Sequence, residues 1–326
     1  MKNKPIILVA GEPYSVFFEI FFKSLKRKSI RSIKNPIILI ASKKLLINQM
    51  KSLKYKYKVN EIFFENLNTT KLNNQKINII NVNFNHKKTF DKITSRSTPY
   101  IKECCEVAIK ISNKVSSKVL INGPISKKHF LKNKFPGMSE YFASKVGKKN
   151  REVMLIFNET VSVSPVTTHF PLKKIFTKIT SKKIVQNIKA INSFYKNYLN
   201  KTPKFALTGL NPHCESSAKV SEEKKIIIPA IKYLNRNKFN ADGPFSADTF
   251  FLKKNIDKYD AVIGMYHDQV LTPIKTLFNF DAINITLGLT FLRISPDHGP
   301  NNEMLGKNES DPSSIFCAMK FIQKIK

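Results

Sequence analysis

The chain has 326 residues, of which 42% are hydrophobic and 24% charged, with 10 Gly, 16 Pro, 4 Cys and no Trp. The apolar fraction is sufficient to bury the core of one large domain or two medium ones. The low Gly, Pro and Cys counts exclude collagen-like, mucin-like and disulfide-scaffold proteins.

The predicted elements alternate between short β-branched runs and longer runs of helical period. In chain order they are strand 5–10, helix 15–28, strand 36–41, a helix from 42, strand 76–82, helix 98–115, strand 118–122, a strand pair 151–157 and 160–167, helix 180–199, strand 204–208, helix 221–235, strands 261–265 and 283–286, and helix 311–325. This alternation predicts an α/β protein with a largely parallel sheet.

The net charge of +33 raises the alternative of a polyanion-binding protein. However, the basic residues are 50 Lys and only 6 Arg, and the Lys are spread over the whole chain. Arg is the residue that forks onto phosphates and stacks on bases. We therefore interpret the lysines as solvated surface and expect no specific nucleic-acid partner.

The cysteines and the apolar runs bear on the cellular compartment. Cys104, Cys105, Cys214 and Cys317 show no CxxC pairing, which is typical of a reducing compartment. The first residues lack a signal-peptide pattern, and no apolar run approaches the ~18 residues of a membrane span. We expect a soluble, cytoplasmic protein with no membrane partner.

Three of the six histidines follow predicted strands. His169, His213 and His267 come after the runs that end at about residues 167, 208 and 266. The carboxyl ends of parallel strands meet at one edge of a sheet, where α/β proteins bind ligands. Three imidazoles there would form a catalytic metal site with open positions, although each His could equally be an ordinary loop residue.

Several charged and amide residues accompany these histidines. Asp268 directly follows His267, and Asp248 lies in a Ser-Ala-Asp-Thr run; either carboxylate could orient a ligand imidazole, while Asp248 could also cap a helix. Arg293 follows a strand-like run and is suited to bind phosphate or carboxylate. Lys275 and Asn284 lie between His267 and Arg293.

The sequence resembles the 4-hydroxythreonine-4-phosphate dehydrogenase (PdxA) family. The matching segments, which run in family order along the chain, are Gly-Glu-Pro 11–13, Asn-Gly-Pro-Ile-Ser-Lys 122–127, Pro-Gly-Met-Ser-Glu-Tyr-Phe 136–142, Thr-Thr-His-Phe-Pro-Leu 167–172, Gly-Leu-Asn-Pro-His 209–213, Gly-Pro-Phe-Ser-Ala-Asp-Thr 243–249, Met-Tyr-His-Asp-Gln 265–269, Asn-Ile-Thr-Leu-Gly-Leu 284–289 and Arg-Ile-Ser-Pro-Asp-His-Gly 293–299.

The resemblance implies an α/β/α sandwich of the isocitrate and isopropylmalate dehydrogenase type. It implies one catalytic unit, 1–326, of two subdomains with the active-site cleft between them: 1–124 with 290–326, and 125–289 with the dimer interface and metal ligands. It also implies a homodimer with a shared active site.

The resemblance further implies NAD-dependent oxidation and decarboxylation of 4-phosphooxy-L-threonine to 3-amino-2-oxopropyl phosphate, a step of pyridoxal 5'-phosphate (vitamin B6) biosynthesis. The divalent metal, commonly zinc, with magnesium and cobalt as alternatives, would be held by His169, His213 and His267 from both subunits. Asp248 and Asp268 match carboxylates that maintain the site, and Asp248 is a candidate general base. The positions matching substrate-binding residues are Met138, Ser139, Lys275, Asn284 and Arg293; no residue is assigned to the cofactor.

Some positions differ from the family pattern. Met138 and Ser139 replace a His-Thr pair, Tyr14 to Phe18 replace a glycine-rich loop, and Cys214 to Ser217 follow the Asn-Pro-His segment. Two alternatives therefore remain: a family relative that oxidises another phosphorylated or acidic hydroxy acid, and a dehydrogenase-derived polyanion-binding protein without activity.

Overall fold

The computed structural model describes residues 4–67, 72–115, 117–132, 134–214, 221–278, 282–296 and 298–325. Its strands are β1 (Ile6–Val9), β2 (Ile37–Ala41), β3 (Val59–Glu61), β4 (Ile77–Asn81), β5 (Val119–Asn122), β6 (Val153–Phe157), β7 (Ser162–Thr167), β8 (Lys204–Thr208), β9 (Asn240–Phe245), β10 (Ala261–Tyr266), β11 (Ile283–Leu287) and β12 (Leu292–Ser295).

The helices include several single-turn segments. In chain order they are α1 (Phe17–Leu25), α2 (Lys28–Arg31), α3 (Lys43–Ser52), α4 (Thr98–Lys114), α5 (Lys127–Phe130), α6 (Met138–Lys145), α7 (Leu172–Ile175), α8 (Ser181–Leu199), α9 (Ile228–Arg236), α10 (Ala247–Phe250), α11 (Lys253–Ile256), α12 (His267–Phe278) and α13 (Ser313–Lys324). A π-helical turn, Glu223–Ile227, directly precedes α9.

The chain divides into two compact units, Met1–Lys149 with Leu289–Lys324, and Asn150–Gly288 with Ile325–Lys326. Residues 125–149 pack within the first unit, whereas the sequence prediction assigned them to the second subdomain. The physical reason is that Phe130, Tyr141 and Phe142 belong to the same hydrophobic cluster as Ile7 and Val9 of β1.

The first unit contains a parallel sheet in the order β3-β4-β2-β1-β5-β12. Ile7 and Val9 of β1 pack in one cluster with the buried residues of α4. Because alternate residues of a strand point to opposite faces, Leu8 and its partner Leu39 lie on the other face, where Leu39 and Phe21 of α1 line the same small cavity. Helices therefore cover both faces of this sheet.

The second unit contains a mixed sheet in the order β11-β6-β7-β10-β8-β9. The pairings of β6 with β11 and with β7 are antiparallel, and those joining β7, β10, β8 and β9 are parallel. Helix α12 packs on β7 and β10, and α8 packs on β6, β7 and β11. The predicted strand pair at 151–157 and 160–167 is confirmed as β6 and β7, and the structure shows that the two strands are antiparallel.

Helix α8 illustrates how the sequence determines an element of this unit. The Thr180 hydroxyl caps its start by accepting the N–H of Lys183. Ile184, Ile188 and Ile191, at the spacing of one helix face, are fully buried. The helix stops at Asn200, which adopts a left-handed conformation with φ of 52°.

Candidate active site

Two of the predicted metal ligands lie together in the second unit. His169 follows β7 and His267 follows β10, and these strands are parallel neighbours. Their ring centroids are 6.1 Å apart. Two imidazoles on one tetrahedral ion, with metal–nitrogen bonds of about 2.1 Å, would have centroids about 5 Å apart. The observed separation is therefore about 1 Å greater than that expected for two imidazoles on a single ion.

Asp268 orients the imidazole of His267. Its Oδ1 lies 2.7 Å from Nδ1 of His267, the arrangement by which a carboxylate commonly fixes the tautomer of a ligand histidine. With Nδ1 engaged in this way, Nε2 is the nitrogen available to a metal. The sequence prediction that this carboxylate maintains the site is therefore compatible with the geometry.

His213 lies on a different loop of the same unit, after β8. It adopts a left-handed conformation with φ of 56°, and its side chain is exposed. Its Nδ1 is 3.8 Å from Oδ2 of Asp248, and Oδ1 of Asp248 accepts a 2.5 Å hydrogen bond from the Ser246 hydroxyl. The Ser246 hydrogen bond, with a smaller contribution from His213, lowers the pKa of Asp248 below its ordinary value.

Within one chain, the three imidazoles do not form a complete ligand set. Among the residues that the structure describes, no three His, Cys, Asp or Glu side chains are grouped so that they could hold a metal ion. The trio of His169, His213 and His267 therefore remains a prediction, and one chain brings two of these rings together.

A buried guanidinium lies in the first unit. Arg293 is in β12, rather than after a strand as the sequence suggested, and is 3% exposed. Its Nε donates to Oδ1 of Asn122 at 2.7 Å and one terminal nitrogen donates to the Ser139 hydroxyl at 3.3 Å. Its guanidinium also lies over the ring of Phe142, 5.4 Å from the centroid. Burial lowers the pKa of Arg293 to about 10, which leaves it charged at neutral pH.

Met138, the residue before Ser139, begins α6 and is buried in the hydrophobic cluster of the first unit. A thioether offers at most a weak hydrogen-bond acceptor. Of the two predicted substrate-binding residues at this helix start, only Ser139 presents a hydroxyl, and that hydroxyl contacts Arg293.

The remaining two predicted substrate-binding residues belong to the second unit. Lys275 is exposed in the last turn of α12, and Asn284 is half-buried in β11. The side-chain oxygen of Asn284 is buried and has no hydrogen-bond partner among the described residues. A buried acceptor without a partner is costly in a folded protein, and a ligand hydroxyl or ammonium would satisfy it.

Sequence reasoning missed three residues that bond to these groups or to their loops, and one further buried carboxyl. Asn122 supports Arg293, Glu12 is a buried carboxyl that accepts from the Ser97 hydroxyl, and Gln269 and Glu223 bond to the loop after β8. Asn122, Glu12 and Gln269 lie inside the segments that match the family, and this position in the sequence could have identified them as candidate site residues. Glu223 lies in a Ser-Glu-Glu run that was interpreted only as a helix start.

The segments that differ from the family pattern lie partly within the described residues. Phe17 and Phe18 of the first loop are buried core residues of α1. A Cβ atom built on Gly123 would lie 2.4 Å from the Phe17 ring, so Phe17 fills the space beside this turn. In the loop after Asn-Pro-His, Cys214 is described, whereas 215–217 lie outside the described residues.

Comparison with known proteins gives a consistent result. A family model described as "Pyridoxal phosphate biosynthetic protein PdxA" matches residues 32–322. The 4-hydroxythreonine-4-phosphate dehydrogenase of Sulfurihydrogenibium sp. (strain YO3AOP1) is 33% identical over 325 residues, 98% of this chain and 98% of that protein.

Solved structures agree at the level of the fold. The crystal structure of a 4-hydroxythreonine-4-phosphate dehydrogenase from Burkholderia phymatum has a TM-score of 0.82 at 24% identity and covers 99% of both chains. A beta-decarboxylating dehydrogenase from Thermococcus kodakarensis has a TM-score of 0.51 at 9% identity, over 97% of this chain and 82% of that chain. The predicted α/β fold class is confirmed.

Proposed function

Because the chain belongs to the PdxA family of pyridoxal phosphate biosynthetic proteins, we propose that it oxidises and decarboxylates 4-phosphooxy-L-threonine to 3-amino-2-oxopropyl phosphate with NAD. The family membership confirms the resemblance that the motifs indicated. The single observation of the site that supports this reaction best is the pair of imidazoles, His169 and His267, at the ends of adjacent parallel strands.

The donor chemistry of the second unit fits a divalent transition metal. His169 and His267 would hold the ion, with Asp268 orienting His267. Imidazole suits zinc and also other divalent ions, and zinc is the ion that we propose. When bound, such an ion supplies a Lewis acid that favours ionisation of the substrate hydroxyl.

A second copy of the chain would complete the ligand set. One chain does not group three metal-binding side chains among its described residues, and His213 is exposed on its own loop. We therefore propose a homodimer in which His213 and the His169–His267 pair of different subunits bind the same ion. A cytoplasmic location also remains a proposal.

The phosphate end of the substrate would bind to Arg293 and Ser139. The guanidinium is buried and charged, so an anion there gains a charge-assisted hydrogen bond that water does not screen. Asn284 and Lys275 would bind the polar groups nearer the reacting carbon. This anchoring positions the alcohol for hydride transfer to NAD, which supplies the redox chemistry.

Asp248 fits an orienting role better than that of a general base. Its pKa is lowered, chiefly by the Ser246 hydrogen bond, so it is a weak proton acceptor at neutral pH. Its carboxylate faces Nδ1 of His213. We propose that Asp248 orients His213 through its charge, across 3.8 Å, whereas Asp268 orients His267 through a hydrogen bond.

A second candidate function is oxidation of another phosphorylated or acidic hydroxy acid. The observation that favours it is Met138, which is 7% exposed and packed in the core. Met138 leaves substrate recognition at the start of α6 to Ser139 and Arg293, and a substrate with a different acidic end could bind to these two residues.

The test is an assay of NADH formation by the purified full chain with Zn²⁺, NAD and either 4-phosphooxy-L-threonine or a panel of four-carbon sugar-acid phosphates. We expect turnover of 4-phosphooxy-L-threonine, and an Arg293→Lys variant with KM raised about 10- to 100-fold, because a hydrogen bond to a charged group contributes about 1.5–3 kcal/mol. Arg236→Lys, at an exposed site on α9, is the matched control. Turnover only of another compound would favour the second candidate, and no NADH from any of them would refute both.

A further inference from the structure

The loop that carries His213 is held in a strained conformation. It leaves β8 at Thr208, and His213 and Cys214 adopt φ values of 56° and 58° in succession. Residues with a Cβ atom rarely adopt this conformation, and they keep it only where the surrounding structure enforces it. The contacts that enforce it therefore determine where the imidazole of His213 lies.

Glu223 provides one set of these contacts. Its Oε1 accepts the backbone N–H groups of Leu210 and Asn211, both at 2.8 Å, and its Oε2 accepts from the side-chain amide of Asn211 at 2.9 Å. The side chain is 1% exposed. A buried carboxylate with three N–H donors forms strong bonds in one geometry, so it fixes the first half of the loop.

The backbone around Glu223 is unusual as well. Glu223 is the first residue of the π-helical turn that precedes α9. Such turns are rare and occur frequently at functional sites. A Cβ atom built on Gly209 would lie 3.3 Å from Oε1 of Glu223 and 2.6 Å from Sγ of Cys214. The carboxylate and the loop are thus packed so closely that position 209 requires glycine.

Gln269 provides the second set of contacts, and it joins this loop to the segment that carries His267. Its Nε2 donates to the carbonyl oxygen of Gly209 at 2.7 Å. Its Oε1 accepts from the Thr208 hydroxyl at 2.9 Å and from the N–H of Met265 at 2.7 Å. One amide side chain therefore ties the end of β8 to the end of β10.

We infer that Glu223 and Gln269 are positioning residues that hold His213 in the geometry required for metal binding. This inference rests on the proposed function, in which His213 is a ligand, and it adds two residues that do not themselves reach the ion. Partners that orient metal ligands typically change metal affinity 10- to 100-fold when they are removed.

The experiment compares Co²⁺ binding by the metal-stripped wild-type chain with binding by Glu223→Gln and Gln269→Met. We expect both variants to bind Co²⁺ about 10- to 100-fold more weakly, with an altered visible spectrum of the bound ion. Glu19→Gln is the matched control, because Glu19 is an equally buried carboxylate that accepts a backbone N–H, from Ser310, in the other unit. It should keep wild-type Co²⁺ affinity.

Hydrogen exchange provides a second readout that does not require metal. In the wild-type chain the amides of Leu210 and Asn211 should be protected. Glu223→Gln removes the charge and places an NH₂ group against the Asn211 amide, so it should reduce this protection while the helices remain protected. Co²⁺ affinity within twofold of wild type in both variants overturns the inference. If the wild-type chain itself bound no Co²⁺, the proposed metal would be refuted. Amide exchange would then test the positioning role by itself: unchanged protection of Leu210 and Asn211 in Glu223→Gln overturns that role, and reduced protection supports it.

Discussion

Replacing Asn122 by alanine should destabilise the first unit more than the same replacement of a buried asparagine that bonds only to neutral groups. The Asn122 side chain is buried and accepts from Nε of the buried Arg293 at 2.7 Å. Its amide also donates to the carbonyl oxygen of Gly123 at 2.8 Å. Asn122→Ala removes both bonds and leaves a charged N–H without its acceptor.

The magnitude follows from these two bonds. A hydrogen bond to a charged group contributes about 1.5–3 kcal/mol and a neutral one about 1 kcal/mol, so we expect a loss of about 3 kcal/mol in the free energy of unfolding. Asn187→Ala is the control, because Asn187 is equally buried but its amide donates to a neutral carbonyl, that of Pro165, at 3.3 Å. That variant should lose only about 1 kcal/mol.

Urea unfolding followed by far-ultraviolet circular dichroism measures both losses, since the chain contains no tryptophan for fluorescence. Asn122→Asp, which keeps an acceptor for Nε of Arg293, should recover most of the difference. Equal losses for Asn122→Ala and Asn187→Ala would refute the reasoning, because the charged partner would then contribute nothing.

Three further predictions concern Glu12, Asp268 and Gly288. Burial raises the pKa of Glu12 above its ordinary value of 4.5, so the wild-type chain should lose stability as the pH rises from 4.5 through the raised pKa. Glu12→Gln should be the more stable protein at neutral pH but not at low pH. A difference in stability that does not change with pH in urea titrations would contradict this. Asp268→Asn should weaken Zn²⁺ binding about 10- to 100-fold, because His267 loses its carboxylate partner; unchanged affinity in a chelator competition would exclude that role. Gly288 has φ of 83°, and a Cβ atom there would lie 2.0 Å from the carbonyl oxygen of Arg151. Gly288→Ala should therefore lower the free energy of unfolding by more than about 2 kcal/mol, and an unchanged melting temperature of this variant would contradict the prediction.

The strands and long helices could be predicted because their signals are local. The predicted strand 36–41 corresponds to Ile37–Ala41, and the predicted helix 180–199 to Ser181–Leu199. The strand Asn240–Phe245 was missed, since it contains Asp, Gly and Pro, which disfavour strands by themselves. Its pairing with β8 supplies the stabilisation that the local sequence lacks.

The chemistry-bearing residues of the site were partly predictable for a different reason. His169 and His267 each follow a buried strand, and parallel pairing then brings them to the same edge. The residues that bond to the loop of His213 give no such signal. Glu223 acts through backbone N–H groups 12 and 13 positions away, and nothing in the spacing of side-chain types indicates a bond to a distant backbone.

Met138, which replaces a histidine of the family pattern, bears on how the proposed substrate would be recognised. An imidazole at this position could donate a hydrogen bond to a phosphate, whereas the thioether of Met138 cannot, and it is packed in the core instead. The charge at this end of the site then depends on Arg293, whose orientation is set by Asn122 and Ser139. Because a guanidinium binds carboxylate as well as phosphate, the proposed binding of the substrate at Arg293 requires that the shape around these three residues, and not charge alone, select a phosphorylated substrate.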